Sequence, residues 1–287
     1  MKLIETVAEL REWRRESTAK VFFVPTMGAL HEGHEALVRE ARRMAGVDGR
    51  VAVSIFVNPL QFGPNEDLDR YPRTLDADLA MCEAAGADMV FAPAVKEVYF
   101  EDRSIKVTES SLSGVLCGAS RPGHFDGVCT VVAKLFNLVQ PDAAVFGKKD
   151  YQQLAIIRRL VRDLDFPVVI QGVETVREAD GLAMSSRNRY LNADERAQAP
   201  ALQRGLKKAR ETWLSGTSDA GVLARIVSEE ICSAARLGRV DYISVVDSRT
   251  LQQVGDVSDH GLIALAAFFG KTRLIDNIEL HREQSRR

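Results

Sequence analysis

A chain of 287 residues, 46% hydrophobic and 27% charged, has the length and make-up of a soluble globular protein of one or two domains with a sizeable core. Its formal net charge of −2 excludes the broad basic surface that nucleic acid requires, so no nucleic-acid partner is expected. The opening MKLIETVAELREW is broken by charges and lacks a signal peptide's apolar core, and the longest uncharged apolar stretch, 262–269, is too short to span a bilayer. No membrane partner and a cytoplasmic location are therefore expected. The four cysteines, Cys82, Cys117, Cys129 and Cys232, form no C-x-x-C pair and read as reduced thiols, mostly packed as small apolar groups.

Residues 1–20 read as a short helix around Val7, Leu10 and Trp13. The run 21–24, VFFV, has the β-branched and aromatic character of a buried strand, ended by Pro25 and Gly28. Then comes His31-Glu32-Gly33-His34, followed by a helical stripe at Ala36, Leu37, Ala41 and Met44. Two imidazoles three residues apart on a helical first turn share one face. The unsatisfied N–H groups of that turn favour an anion, and Gly33 leaves the backbone bare. Two plain loop histidines fit the same pattern; a zinc pair would need a third ligand, and no Cys or His cluster lies nearby.

A second buried strand, 51–57, runs into Asn58-Pro59-Leu60-Gln61-Phe62-Gly63-Pro64. Amides at a strand's carboxyl end suit a hydroxyl or carboxylate, or a rigid turn satisfied by backbone. The mixed-charge stretch 65–73 reads as exposed. Thr74 reads as the N-cap of a helix over 74–85, with Asp76 and Asp78 as first-turn carboxylates, and 88–92 reads as a third strand. A long Ser- and Gly-rich loop, 110–126, carries Arg121 and His124 ahead of a helix from Val128 to Val139.

Residues 142–146 read as a strand that delivers Gly147-Lys148-Lys149-Asp150 to the start of a helix striped at Leu154, Ile157, Leu160, Val161 and Leu164. A glycine and two lysines there suit phosphate, although neither a Walker A nor a G-x-G-x-x-G motif is present. After a strand at 167–173, Met184-Ser185-Ser186-Arg187 sets two hydroxyls beside a fixed cation that could grip a phosphate, although taken alone the motif reads first as a Ser-capped helix start. Beyond residue 193 the texture changes to two helices, 194–214 and 219–237, strands at 242–246 and 262–269, and a polar tail at 281–287.

The order of these motifs resembles the H-x-G-H nucleotidyltransferases, with Met184 to Arg187 standing where that superfamily has K-M-S-K-S. The stretches PTMGALHEGH, SIFVNPLQF, YPRTLDADL, RPGHFDGV, VFGKKDYQQL, READGLAMSSRNRYL and KTRLIDNI narrow the resemblance to the pantoate–β-alanine ligase family. It implies an α/β fold: a Rossmann-like doubly wound parallel sheet at 1–177, binding nucleotide and pantoate, with a smaller α+β C-terminal lid domain at 178–287. It implies a homodimer that condenses ATP, (R)-pantoate and β-alanine to pantothenate, AMP and pyrophosphate through pantoyl adenylate. The alternative is another adenylyl- or cytidylyltransferase of the same fold.

By position, the resemblance assigns Met27, Gly28, Ala29, Leu30, His31, Glu32, Gly33 and His34 to one wall of the ATP site, with His34 as proton donor and His31 on phosphate. Gly147, Lys148, Lys149 and Asp150 are assigned to the nucleotide, Lys149 acting on the phosphates with His31 and His34 in the catalytic set. Val176, Met184, Ser185, Ser186 and Arg187 complete the ATP pocket; Gln61, Gln153 and Asn58 hold the substrate. Mg²⁺ is expected with ATP. The family's usual Glu is Lys148 here, which adds positive charge beside Lys149. Ala77 and Met81 replace possible Mg²⁺ ligands, leaving Asp78 as the candidate metal contact and the ATP phosphates as the ion's main support.

Overall fold

The computed structural model describes residues 1–64, 66 and 68–282; residues 65 and 67 of the mixed-charge stretch and 283–287 of the polar tail lie outside them. The chain divides into two compact units. The first comprises 1–113, 120–148 and 153–175, and the second 114–119, 149–152 and 176–287.

In the first unit, β1 (Lys2–Ile4), β2 (Val21–Thr26), β3 (Arg50–Ile55), β4 (Met89–Phe91), β5 (Ala143–Gly147) and β6 (Val169–Val173) form one parallel sheet in the order β1-β4-β3-β2-β5-β6. Successive strands run outward from β2 to β3 and β4, and the chain then returns to lay β5 on the other side of β2. That reversal makes a topological switch point at the carboxyl ends of β2 and β5, where open α/β sheets bind ligands.

Alternation along β2 sends its side chains to both faces. Phe22 and Val24 pack with Leu37, Val38 and Ala41 of α2 (Glu32–Ala45), whereas Phe23 meets Phe136 of the later helix His124–Val139 edge-on at 6.5 Å. Both faces of the sheet are therefore covered, as the apolar character of VFFV requires.

Several boundaries differ from the sequence reading. The first residues form edge strand β1 before α1 (Val7–Glu16), which starts at a capping box of Thr6 and Glu9. Pro25 lies inside β2. The carbonyls of Lys20 and Thr26 face β3 and that of Val21 faces the β5 side, so Pro25, with Val21's parity, faces β5 beyond the end of their pairing. Its missing N–H removes no ladder bond. Helix α3 (Leu75–Ala84) begins after Thr74, whose hydroxyl does not cap it but donates to Asp78. After α4 (Val95–Val98), the loop at 110–126 contains the turn α5 (Leu116–Ser120), and α6 (His124–Val139) takes in His124. Next, α7 (Tyr151–Asp163) follows β5.

In the second unit, Pro200 separates α8 (Ala193–Gln198) from α9 (Ala201–Leu214), and α10 (Ala220–Ala234) follows. The antiparallel sheet β7 (Gly238–Asp247), β8 (Gly261–Phe269) and β9 (Thr272–Leu280) completes it. Leu202, Leu206 and Trp213 of α9, Leu223, Val227 and Ile231 of α10, and Ile263, Leu265 and Phe269 of β8 share one core. Strand β9 was not anticipated. The parallel sheet with its helices, joined in sequence to a smaller α+β unit, is the α/β fold expected.

Among the described residues, no helix is long and apolar enough to cross a membrane. All four cysteines are free; burial pushes the thiols of Cys82 and Cys129 up to about 12, so they stay protonated, whereas Cys232 is exposed.

Candidate active site

The loop after β2 departs from ordinary backbone. Gly28 and Ala29 both take positive φ, +82° and +50°, which a β-carbon disfavours. Asp78 holds them there. Its Oδ2 accepts from the Ala29 N–H at 2.9 Å, and its Oδ1 accepts from the Leu30 N–H at 2.8 Å and the Thr74 hydroxyl at 3.1 Å. Asp78 is 2% exposed, and a β-carbon at position 28 would sit 3.0 Å from its Oδ2, so glycine is required there.

Both oxygens of Asp78, the candidate metal contact, thus accept hydrogen bonds from this loop and from Thr74. Moreover, the described residues contain no group of three or more His, Cys, Asp or Glu able to hold an ion.

The histidine pair is built into the start of α2. His31 is the N-cap, its Nδ1 accepting from the Gly33 N–H at 3.1 Å, and His34 Nδ1 accepts from the His31 N–H at 3.3 Å. The His34 and Glu35 N–H groups bond the His31 carbonyl. The bare-backbone anion site expected from the sequence is thus largely occupied by the turn itself. What the turn gains is a fixed tautomer: with Nδ1 accepting, each neutral ring carries its proton on Nε2. The rings lie 4.1 Å apart, centroid to centroid, which sets the two imidazoles side by side.

The amides at the end of β3 form a buried cluster. Asn58 is 1% exposed; its Nδ2 donates to Gln61 Oε1 and to the Gly127 carbonyl, both at 3.0 Å. Gln61 Nε2 lies 2.9 Å from Met27 Sδ, which brings two predicted site residues together. Gly127 is obligatory, because a β-carbon there would fall 2.3 Å from the Leu60 carbonyl oxygen. Arg121 and His124 also belong here: His124 Nδ1 lies 2.7 Å from the Gln61 carbonyl, and Arg121 reaches both His124 Nε2 and Glu66. Burial pushes the Glu66 carboxyl up, but the hydrogen bonds and charge of Arg121, with a backbone hydrogen bond at Gly63 and the charge of His124, together hold the group below its usual range.

At the end of β5, the Lys148 ammonium donates to Glu174 Oε1 at 2.5 Å. The Lys148 charge is thereby paired at the end of the neighbouring strand β6. Gln153 lies half-buried in the first turn of α7.

In the second unit, a short hairpin sets Met184 opposite Val176: the Met184 N–H donates to the Val176 carbonyl at 3.0 Å. Ser185 Oγ accepts from the Arg187 N–H at 3.2 Å and caps the 3₁₀ turn Ser186–Tyr190, so the Ser-cap reading holds. Asn188 anchors that turn to Glu178 and the Ala183 carbonyl, and Arg196 joins Glu178 to Asp180.

Lys149 is fixed through its backbone: Asn277 Nδ2 donates to the Lys149 carbonyl at 2.8 Å, while its ammonium lies 3.5 Å from Asp150. Asp276 orients Asn277 by accepting its N–H, and Arg177 grips Asp276 in a two-pronged ion pair at 2.7 and 2.9 Å. Sequence reasoning missed Asn277, Asp276 and Arg177 as supports. They lie within the quoted stretches KTRLIDNI and READGLAMSSRNRYL, which are the signal that could have pointed to them.

Within the first unit the paired imidazoles suit a phosphate and the neutral amides a hydroxy acid; within the second, Lys149 and the turn at Ser185, Ser186 and Arg187 carry hydroxyls and cations that also suit phosphate. The family model for pantoate–β-alanine ligase matches residues 2–279. A pantothenate synthetase of Akkermansia muciniphila is 52% identical over 283 residues, covering 98% of this chain and 100% of that protein. One from Heliobacterium modesticaldum is 52% identical over 97% of this chain and 99% of its own length. The crystal structure of the Thermus thermophilus enzyme superposes with a TM-score of 0.93 at 48% identity, covering 98% and 100% of the two chains. The Francisella tularensis ligase, solved with β,γ-ATP and β-alanine, gives 0.75 at 32% identity, with 97% of each chain covered. On a match of that extent, the chain belongs to the pantoate–β-alanine ligase family.

Proposed function

We propose that this enzyme, which joins (R)-pantoate to β-alanine at the expense of ATP, does so through pantoyl adenylate. A pantoate carboxylate oxygen attacks the α-phosphorus of ATP and pyrophosphate leaves; the β-alanine amine then attacks the acyl carbon and AMP leaves.

The observation that carries the reading is the pairing of His31 and His34 at the start of α2, with ring centroids 4.1 Å apart and each Nδ1 accepting from a backbone N–H. Neither step transfers a proton to phosphorus, so what the first step needs is charge neutralisation as the phosphate becomes pentacoordinate. The two imidazoles supply neutral donors, with His34 as the principal one. Lys149 and Arg187 supply fixed positive charge, and the Ser185 and Ser186 segment supplies hydroxyl and backbone contacts. Residues 27–34, 147–150, Val176 and 184–187 form the nucleotide's surroundings; Gln61, Asn58 and Gln153 hold pantoate without repelling its carboxylate. Residues 1–177 bind ATP and pantoate, and 178–287 serve as the lid.

Mg²⁺ enters as part of the substrate, on the ATP phosphates; among the described residues no group of three or more His, Cys, Asp or Glu is placed to hold it. No step here depends on a protein-held ion. The homodimer, the Rossmann-like character of the nucleotide domain and the cytoplasmic location follow from the family resemblance.

Oxygen transfer tests the route. With pantoate labelled by ¹⁸O in both carboxylate positions, one label should appear in AMP and none in pyrophosphate. Label in inorganic phosphate, or unlabelled AMP, would contradict attack at the α-phosphorus.

A further inference from the structure

The polarity of the buried amide cluster can be read without ambiguity from its backbone partners. The Leu60 N–H, which only donates, lies 3.3 Å from one end of the Asn58 amide, and the Gly127 carbonyl, which only accepts, lies 3.0 Å from the other. The first end is therefore oxygen and the second nitrogen, so this amide cannot be turned over. The Tyr99 hydroxyl sits 2.8 Å from Asn58 Oδ1 and must donate to it. Asn58 Nδ2 faces Gln61 at 3.0 Å, so the Gln61 atom there is Oε1. The only polar end that Gln61 has left is its NH₂, on the side of Met27 Sδ.

We propose that Tyr99 is a positioning residue for pantoate: its hydroxyl locks Asn58, and Asn58 locks the Gln61 amide so that the substrate meets only an N–H donor. A hydroxy acid offers oxygen lone pairs to that donor, whereas a ligand with a donor at the same point would meet a second donor. Tyr99 suits the task. It is 8% exposed, its ring lies 5.9 Å from that of Phe56, and burial pushes its phenol up, so the proton it donates stays in place. The inference rests on the reading of Gln61 as a pantoate contact.

The test is Tyr99→Phe, which keeps the ring and removes only the hydroxyl. KM for pantoate should rise about tenfold while KM for ATP stays within about twofold, because a buried amide loses one partner and the other substrate does not touch it. In a Gln61→Ala background the same change should add nothing to the pantoate KM, since the residue through which it acts is gone. An unchanged pantoate KM in folded Tyr99→Phe, or a full effect that persists without Gln61, would overturn the proposal.

If Tyr99→Phe gives no cooperative melt, ¹⁵N-glutamine labelling of the unaltered enzyme carries the test. The side-chain NH₂ signals absent from Gln61→Ala should shift when pantoate is added, and signals that stay put would overturn the proposal. Loss of pantothenate formation by the unaltered enzyme is a different result, and it would remove the functional reading itself.

Discussion

Replacing His34 by alanine should slow adenylate formation by about 10²- to 10³-fold, the loss typical of removing one donor aimed at charge that develops in a transition state. The expectation comes from the way the ring is held. Its Nδ1 accepts the His31 N–H at 3.3 Å, which fixes the ring at the start of α2 and makes Nε2 the nitrogen that bears the proton in the neutral ring. The same bond makes a structural contribution of about 1 kcal/mol, comparable to a helix cap, so the variant should fold. Two further variants separate the roles. His34→Asn keeps a short acceptor where Nδ1 lies but cannot reach as far as Nε2, and it should be as slow as alanine. His34→Gln carries an N–H out to the position of Nε2 and should recover roughly tenfold of the lost rate. Rapid-quench measurement of adenylate with β-alanine withheld reads all three. A His34→Ala rate close to that of the unaltered enzyme would remove the imidazole from the transition state.

Asp78→Asn should be the most damaging single-atom change in the first unit. The side chain keeps its shape, but one oxygen becomes an NH₂ that faces the N–H of either Ala29 or Leu30. A buried donor then meets a donor in a loop that already holds Gly28 and Ala29 at positive φ. The cost should be about 2–4 kcal/mol, from an unsatisfied buried group to which the original bond was charge-assisted. Activity should fall about 100-fold in protein that is still folded at low temperature, because a displacement of about 1 Å at the start of α2 moves both histidines. Urea unfolding and the same quench assay check the two halves. Stability and rate equal to those of the unaltered enzyme would show that the carboxylate does not hold the loop.

These two residues mark how far the sequence could be read. The histidine pair was legible because its chemistry is local: an apolar strand, a turn and a helical stripe surround it within some twenty residues. The role of Asp78 was not legible, since its partners lie 49 and 48 residues away and a first-turn aspartate is favourable on any helix. The same limit hid Asn277, which reaches Lys149 across 128 residues, and Tyr99, which reaches Asn58 across 41.

Fold elements failed for related reasons. Strand β9 buries Asp276 and Asn277, so its polar residues disguise an inward-facing pattern until Arg177 and Lys149 are seen to satisfy them. Strand β1 has three residues, with only Ile4 buried, too little for periodicity to show. Helix α6 starts at His124 because Gly127 allows its first turn to rest on the Leu60 carbonyl, a packing constraint that no local propensity reports. The parallel sheet, by contrast, was legible, because the buried runs VFFV and VAVSIFV have the character of strands covered on both faces.

The most direct measurement is exchange of labelled pyrophosphate into ATP with β-alanine withheld. Reversible formation of pantoyl adenylate predicts exchange that requires pantoate and falls in proportion to the adenylation rate in His34→Ala. An enzyme that makes pantothenate at full rate yet shows no pantoate-dependent exchange, with pyrophosphate free to rebind, would contradict it.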